Sequence, residues 1–490
     1  MLKLKDKPKP TDEQVQMMDA FRLTDDNLFG NALAGCGKTS TGELLIRECI
    51  PREQPVLYLA FNRTIVKEAE QRMPSNCKVQ TINSLGHGVW GRTTGKKLVI
   101  TSQKTDTGAV LNKMQIIVRQ LISELSRDDR EEAWESYSEI VKACAMSKHL
   151  GYIPADKFPT GKPLIDREGL EARLEDRFSP LCWALIDAAL IASIKAAYDG
   201  GIDFDDQIYM PALFGGSFPR FPTVVTDEWQ DLSPANIAML WKMRQSRMVG
   251  LGDRWQAIYA FRGAETSGVD KGIKMFNMKE LPLSISFRCP EAIVKAVHWH
   301  VPHMKWFKTG GKYEVMQDLD PTTIPDGATF ICRNNAPLFR AAFALLSQKR
   351  SVSVAGSDIG PRIIRLLKKI GEPEDKSEDL KFKIEAWREE QLQRTNSPTT
   401  VEDTAECLRI FATWGATCDQ AINYANWILA QHGTIQLTTG HKAKGLEWET
   451  VYHLDKGLLK NEGQDFNLKY VITTRSANEL YEVGTEAMKW

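Results

Sequence analysis

The sequence predicts an α/β fold with two parallel-sheet cores, each carrying a mainly helical insertion. Three observations predict it. Short apolar segments of strand character alternate with helix-length stretches through residues 27–60 and 223–251. The same rhythm returns at 329–355 and 434–454, and two charged stretches of helical periodicity, 111–150 and 358–431, interrupt it. At 490 residues the chain has room for about three domains or subdomains. The changes of pattern divide it into a first core (1–90 and 201–280) with an insertion at 91–200, and a second core (281–357 and 432–490) with a shorter insertion at 358–431.

The elements follow in order. Thr11 or Asp12 caps a helix over 11–21. Residues 27–33 form a strand running into a glycine-rich loop, and 39–50 form the helix after it. Apolar strands follow at 56–60, 223–226 and 248–251. Residues 111–150 read as helical, and Gly200-Gly201 stops a helix. The most apolar stretch, 181–197, contains Asp187 and Lys195 and reads as a buried helix, not a membrane span. The second core begins near Leu281, with strands at 329–332, 352–355, 434–438 and 450–454. His298, His300 and His303 lack a Cys or carboxylate at metal-ligand spacing and read as part of an amphipathic helix. Asp203-Phe204-Asp205-Asp206 reads as a structural return into the first core, not a metal site.

Composition fits a chain that buries substantial cores, with 42% hydrophobic and 26% charged residues. Lys+Arg and Asp+Glu are both 63, and a local basic groove is compatible with that zero balance. The Lys- and Pro-rich start has no apolar core, so no signal peptide is expected. Nine cysteines without a CxxC pair predict reduced thiols and a cytoplasmic location.

Residues 32–39, Ala-Leu-Ala-Gly-Cys-Gly-Lys-Thr, match the phosphate-loop pattern with alanine at the first glycine. The cradle comprises Ala34, Gly35, Cys36, Gly37, Lys38, Thr39 and Ser40, whose backbone N–H groups converge on phosphate oxygens at a helix start. Lys38 reaches the terminal phosphates, and the Thr39 hydroxyl ligates Mg²⁺. Cys36 is a small residue filling the loop. The apolar strand ending in Asp227-Glu228 supplies a second Mg²⁺ ligand, Asp227, and a base that orients the attacking water, Glu228. ATP and Mg²⁺ are the expected cofactors.

Further segments carry a family resemblance. Residues 227–233 (DEWQDLS) resemble the DExQD box of UvrD/Rep/PcrA-like superfamily 1 DNA helicases. Residues 252–264 (GDRWQAIYAFRGA), 283–288 (LSISFR), 439–447 (TGHKAKGLE) and 470–475 (YVITTR) are similar to that family's later motifs, in the family's order. The resemblance runs from Gln14 to Arg475, and the two insertions match no named segment. It implies two RecA-like motor domains with ATP bound at the cleft between them. It further implies that Gln14 reads the adenine, Phe287 stacks on it in place of the usual tyrosine, Gln256 senses the γ-phosphate, and Glu447 holds the ribose. Arg288 and Arg475 would be arginine fingers from the second core, a type of group worth on the order of 10³–10⁵ in rate.

The same resemblance implies a single-stranded DNA track. Phe61, Asn62, Arg63, Thr81, Asn83 and His87 would contact the strand from the first core, with Tyr259 and Phe261 stacking on bases. Thr439 and His441 would contact it from the second core. Ala60, Asn62, Asn83 and Ser286 depart from the family's usual residues, which weakens individual base contacts and not the motor assignment. The implied activity is ATP-driven 3′→5′ translocation with duplex unwinding at single-strand/duplex junctions. Two alternatives are a translocase that strips bound proteins and an ATP-gated DNA-binding module. The expected partners are DNA and a single-strand-binding, replication or repair protein, with no membrane.

Overall fold

In the computed structural model the described residues are 9–105, 108–154, 158, 160–259, 266–355 and 359–488. They form two compact units, one of residues up to 32 with 37–283, the other of 33–36 with residues from 284 onward.

The first unit is built on an all-parallel six-stranded sheet. Its strands are β1 (Asn27–Ala32), β2 (Val56–Ala60), β3 (Cys77–Thr81), β4 (Thr223–Thr226), β5 (Arg247–Gly252) and β6 (Met278–Leu283), in the order β6-β1-β5-β4-β2-β3. Helices on both faces explain why β2, a continuous apolar run, and β4, two valines between threonines, are buried throughout. β3, at the edge, is only half-buried and carries Lys78 and Gln80. Helix α1 (Asp12–Leu23) opens with a capping box between Thr11 and Gln14, and α2 (Lys38–Cys49) follows the glycine-rich loop. Helices α3 (Arg63–Glu70) and α4 (Ile82–Thr94) follow β2 and β3 and begin at Asn62 and Thr81 caps. Because all the strands are parallel, the segments after β1, β2, β4 and β5 leave the sheet at one edge, the edge where such sheets bind ligands.

Between α4 and β4 the chain forms a helical layer of α5 (Lys113–Ser123), α6 (Arg127–Glu135), α7 (Tyr137–Leu150) and α8 (Pro180–Tyr198) around Val118, Ile122, Ile140, Ile186 and Leu190. Three departures differ from the continuous helical reading of 111–150. Val110–Asn112 is a strand paired with Ser102–Lys104, the helix restarts at Ser126 with a side-chain cap, and it restarts at Ser136 without one. Periodicity does not register such caps, since an N-cap side chain competes locally for the backbone. Helix α8 is long and apolar enough to cross a membrane by length and composition. Its Leu185, Ile186, Ala189, Leu190 and Ile194 are buried within the unit's own core.

This layer is joined by buried charge to the segment that leads back into the first core. Lys113 Nζ lies 2.6 Å from Asp206, and Lys148 Nζ lies 2.6 Å from Asp203 and 2.7 Å from Asp206. Lys113 also donates to the Ser193 carbonyl at 2.7 Å. The tetrapeptide 203–206 is therefore a structural return, as its sequence reads. It leads into α9 (Asp206–Phe214), and the short strand Gly201–Ile202 just before it pairs with Val99–Ile100.

The second unit also holds an all-parallel six-stranded sheet. Its strands are β7 (Lys312–Met316), β8 (Thr329–Cys332), β9 (Val352–Val354), β10 (Ile435–Thr439), β11 (Trp448–Leu454) and β12 (Ser476–Val483), in the order β7-β12-β11-β8-β10-β9. Helix α10 (Asn335–Ser347) packs Phe339 and Phe343 against Phe411. Phe411 belongs to the helical group α11 (Ile359–Ile370), α12 (Ser377–Arg394), α13 (Pro398–Trp414) and α14 (Cys418–Leu429), which shares the sheet's core. Helix α15 (Gly463–Thr473) precedes β12. These are the α/β layers of two RecA-like domains.

The helical reading of 298–303 is corrected. The helix there spans only Glu291–Lys295, and single turns such as His298 N–H to the Lys295 carbonyl carry the chain to Val301. Pro302 then ends any helical course, having no N–H and disfavouring helical geometry in the residue before it. Among the described residues no group of three or more His, Cys, Asp or Glu is placed to hold a metal.

Candidate functional site

The glycine-rich loop follows β1. Gly35 and Gly37 take φ of +73° and +76°, the left-handed region that glycine enters at no cost. Gly37 caps α2 without a side chain, so the first turn of the helix presents bare backbone donors suited to an anion. Ala34 and Cys36 are buried, while Gly35, Ser40 and Thr39 are partly exposed.

Lys38 leaves that first turn and meets Glu228 Oε2 at 2.8 Å. Burial opposes its charge, yet Glu228, Asp227 and Asp253 hold its ammonium above the usual lysine range. Asp227 and Glu228 stand at the end of β4. The Asp227 carboxylate accepts the Thr39 hydroxyl at 3.1 Å and the Tyr58 hydroxyl at 2.7 Å on Oδ2, and the Glu228 N–H at 2.9 Å on Oδ1. Burial and the adjacent Glu228 carboxylate push Asp227 up from its ordinary value, against the pull of Lys38. Glu228 itself has φ +52°, an uncommon conformation for a non-glycine residue and a frequent one at functional sites.

From Glu228 a chain of hydrogen bonds crosses the sheet edge. Gln230 donates to Glu228 and accepts the Asp253 N–H at 2.9 Å, and Gln256 donates to Asp253 at 2.7 Å. The Thr39–Asp227 pair offers adjacent hard oxygens, suiting a small cation that takes few protein ligands and keeps water or phosphate oxygens for the rest. Gln14, at the third position of α1, accepts the Thr11 N–H and donates to Thr41 at 2.9 Å.

The candidate strand-binding residues of this unit lie at the same ends of β2, β3 and β5. Phe61 and Tyr259 are half-buried and parallel, with centroids 6.4 Å apart and 4° between planes. Asn62 and Thr81 cap their helices, accepting from Ile65 N–H and Ser84 N–H, and Arg63 is exposed in the first turn of α3. Asn83 donates to the Phe204 carbonyl at 2.7 Å, and His87 lies 3.2 Å from Gln207. Phe261 lies outside the described residues.

In the second unit Phe287 packs against Phe307 at 5.0 Å between centroids. Arg288 forms an ion pair with Glu447. Arg475 is 1% exposed, its guanidinium held by the Val471 carbonyl at 2.9 Å, the Leu446 carbonyl at 3.2 Å and the Thr474 hydroxyl at 3.2 Å. Thr439 ends β10, and His441 follows in the short helix Gly440–Ala443. Burial, with Arg333 beside it, lowers the His441 imidazole to about 4, so it is neutral at neutral pH.

The family model for the UvrD/REP helicase N-terminal domain matches residues 13–277, just over half of the chain. The chain belongs to this family. The F-box DNA helicase protein 1 of Schizosaccharomyces pombe is 22% identical over 515 residues, covering 96% of this chain and 57% of that protein. DNA helicase IV of Escherichia coli is 23% identical over 270 residues, covering 48% of this chain and 39% of that protein. The chain therefore spans about half the length, or less, of these curated relatives.

Several polar residues of this UvrD/REP-family site were not singled out in the sequence. Gln230 and Asp253 sit inside recognisable motif strings, yet their bridging role between Glu228 and Gln256 emerges only from the fold. Tyr58 carried no signal, since an aromatic in an apolar strand reads as core.

Proposed function

We propose that the chain is an ATP-dependent DNA helicase that translocates 3′→5′ on single-stranded DNA and unwinds duplex at junctions. One observation supports this most. A phosphate-loop lysine, a Thr–Asp oxygen pair, a carboxylate placed to orient water and a glutamine linked to it converge at one edge of a single parallel sheet. Thr39 and Asp227 would hold Mg²⁺, which when bound neutralises charge on the phosphates. Lys38 would exchange Glu228 for a terminal phosphate, freeing that carboxylate to take up water. Gln256 would then report the γ-phosphate through Asp253 and Gln230.

Arg288 and Arg475, with Phe287 and Glu447, would complete nucleotide recognition from the second unit. That part of the reading rests on motif order and on the need of phosphoryl transfer for positive charge at the equatorial oxygens. Phe61 and Tyr259, with Arg63, Thr81, Asn83, His87, Thr439 and His441, would grip bases and phosphates of the strand. Single-stranded DNA, junctions and a single-strand-binding or repair protein are the proposed partners.

The test is a strand-displacement assay on 3′-tailed and 5′-tailed duplexes, of DNA and of RNA, beside ATP turnover with and without single-stranded DNA. The expected result is strong DNA stimulation, loss of turnover in Lys38→Ala, and unwinding of the 3′-tailed DNA substrate. Unwinding confined to the 5′-tailed substrate overturns the polarity, and turnover indifferent to DNA overturns the coupling.

A further inference from the structure

We infer that Tyr58 is a positioning residue for the metal-binding carboxylate, setting how tightly this chain holds Mg²⁺-nucleotide. The inference deepens the ATPase reading above and rests on it.

Tyr58 is the middle residue of β2, fully buried, next to β4 in the sheet and opposite Val225 in register. Its ring runs toward the sheet edge, and its hydroxyl donates to Asp227 Oδ2 at 2.7 Å, the shortest of the three hydrogen bonds that the carboxylate accepts among the described residues. The other two come from Glu228, the next residue in the chain, and from Thr39, itself a candidate ligand. Among the described residues Tyr58 is thus the one side chain hydrogen-bonded to the carboxylate that is not itself a candidate ligand of the cation. Partners of this kind fix ligand direction and commonly change metal affinity or activity by about 10–100-fold when removed.

A second feature points the same way. Gly42 lies inside α2, where glycine is a poor helix former. A Cβ there would stand 3.2 Å from Tyr58 Cε2 and 3.1 Å from Leu251 Cδ1, tighter than ordinary contact. The helix that begins at the phosphate loop therefore lacks a side chain at the place where it passes the Tyr58 ring. A large polar-tipped aromatic in an otherwise aliphatic strand and a glycine in the facing helix are two halves of one fit.

The test is Tyr58→Phe in the full chain, which keeps the ring and removes only the hydroxyl. Affinity for a fluorescent ATP analogue is titrated in EDTA and across a Mg²⁺ series, with melting temperature as a folding control. ATP turnover is followed over the same Mg²⁺ series. The expected result is a half-saturating Mg²⁺ concentration raised about 10–100-fold, with metal-free nucleotide affinity unchanged and turnover largely restored at high Mg²⁺. An unchanged Mg²⁺ dependence in a folded variant overturns the inference, and so does an equal loss of affinity with and without the metal. Binding is read apart from turnover and from DNA. Failure of the helicase reading alone would leave the Mg²⁺ shift in binding intact.

Discussion

Glu228 and Lys38 neutralise each other in a partly buried contact, and both are joined to groups that phosphate and water would have to displace. Their types are legible from sequence because phosphate chemistry requires a fixed spacing from loop to lysine to hydroxyl. A second residue-scale consequence concerns acid. His453 on β11 is fully buried, and neither ring nitrogen has a hydrogen-bond partner among the described residues. Burial, with Lys456 and Lys469 nearby, lowers its imidazole to about 3. The unfolded chain takes up that proton near pH 6.5 and the folded chain only near 3, so this contribution to stability is complete above about 6.5 and declines as pH falls. Denaturant unfolding at pH 5 should show a loss of about 2 kcal/mol relative to pH 7 from this group alone. His453→Leu should lessen that loss, and an equal pH dependence in both proteins would refute the assignment. Tyr58 marks the limit of legibility at this scale, because its partner Asp227 is 169 positions away and only sheet order brings them together.

At the scale of elements, the strands were readable where two-sided burial selects short apolar or β-branched segments, as in β2, β4 and β8. The insertions were readable only as helical stretches. Their internal breaks depend on single capping side chains such as Asn112 and Ser126. How the first insertion is fastened was not readable at all, since Lys113 and Lys148 resemble any other helix lysines. In the fold, burial pushes the Lys113 ammonium below the usual lysine range, while around Lys148 the carboxylates of Asp203 and Asp206 outweigh burial and push it above. Asp206→Asn leaves two buried ammonium groups short of countercharge and should cost about 3–5 kcal/mol. Joining Lys113→Met to it should recover part of that loss. Thermal or denaturant unfolding decides the matter, and a change below about 0.5 kcal/mol would mean the cluster is solvated.

At the scale of the whole molecule, equal totals of acidic and basic residues do not prevent a strand-binding surface, because phosphate binding depends on where the cations lie. The logarithm of the affinity for single-stranded DNA should fall linearly with the logarithm of salt, and Arg63→Ala should reduce the slope by about 0.7, the share of one phosphate contact. An unchanged slope would remove Arg63 from the track. The overall α/β class was legible in the strand–helix rhythm, whereas the strand orders β6-β1-β5-β4-β2-β3 and β7-β12-β11-β8-β10-β9 were not, since nothing local encodes which strands become neighbours. The ionic root of the first insertion also bears on how such a fold diversifies. Residues 124–137, helix α6 with the turn on either side of it, are mostly exposed and can lengthen, shorten or accept a graft with little disturbance. Lys113 and Lys148 cannot be moved to another scaffold without Asp203 and Asp206 travelling with them. The first insertion is therefore open to change at its tip and tied at its base to two aspartates of the first core.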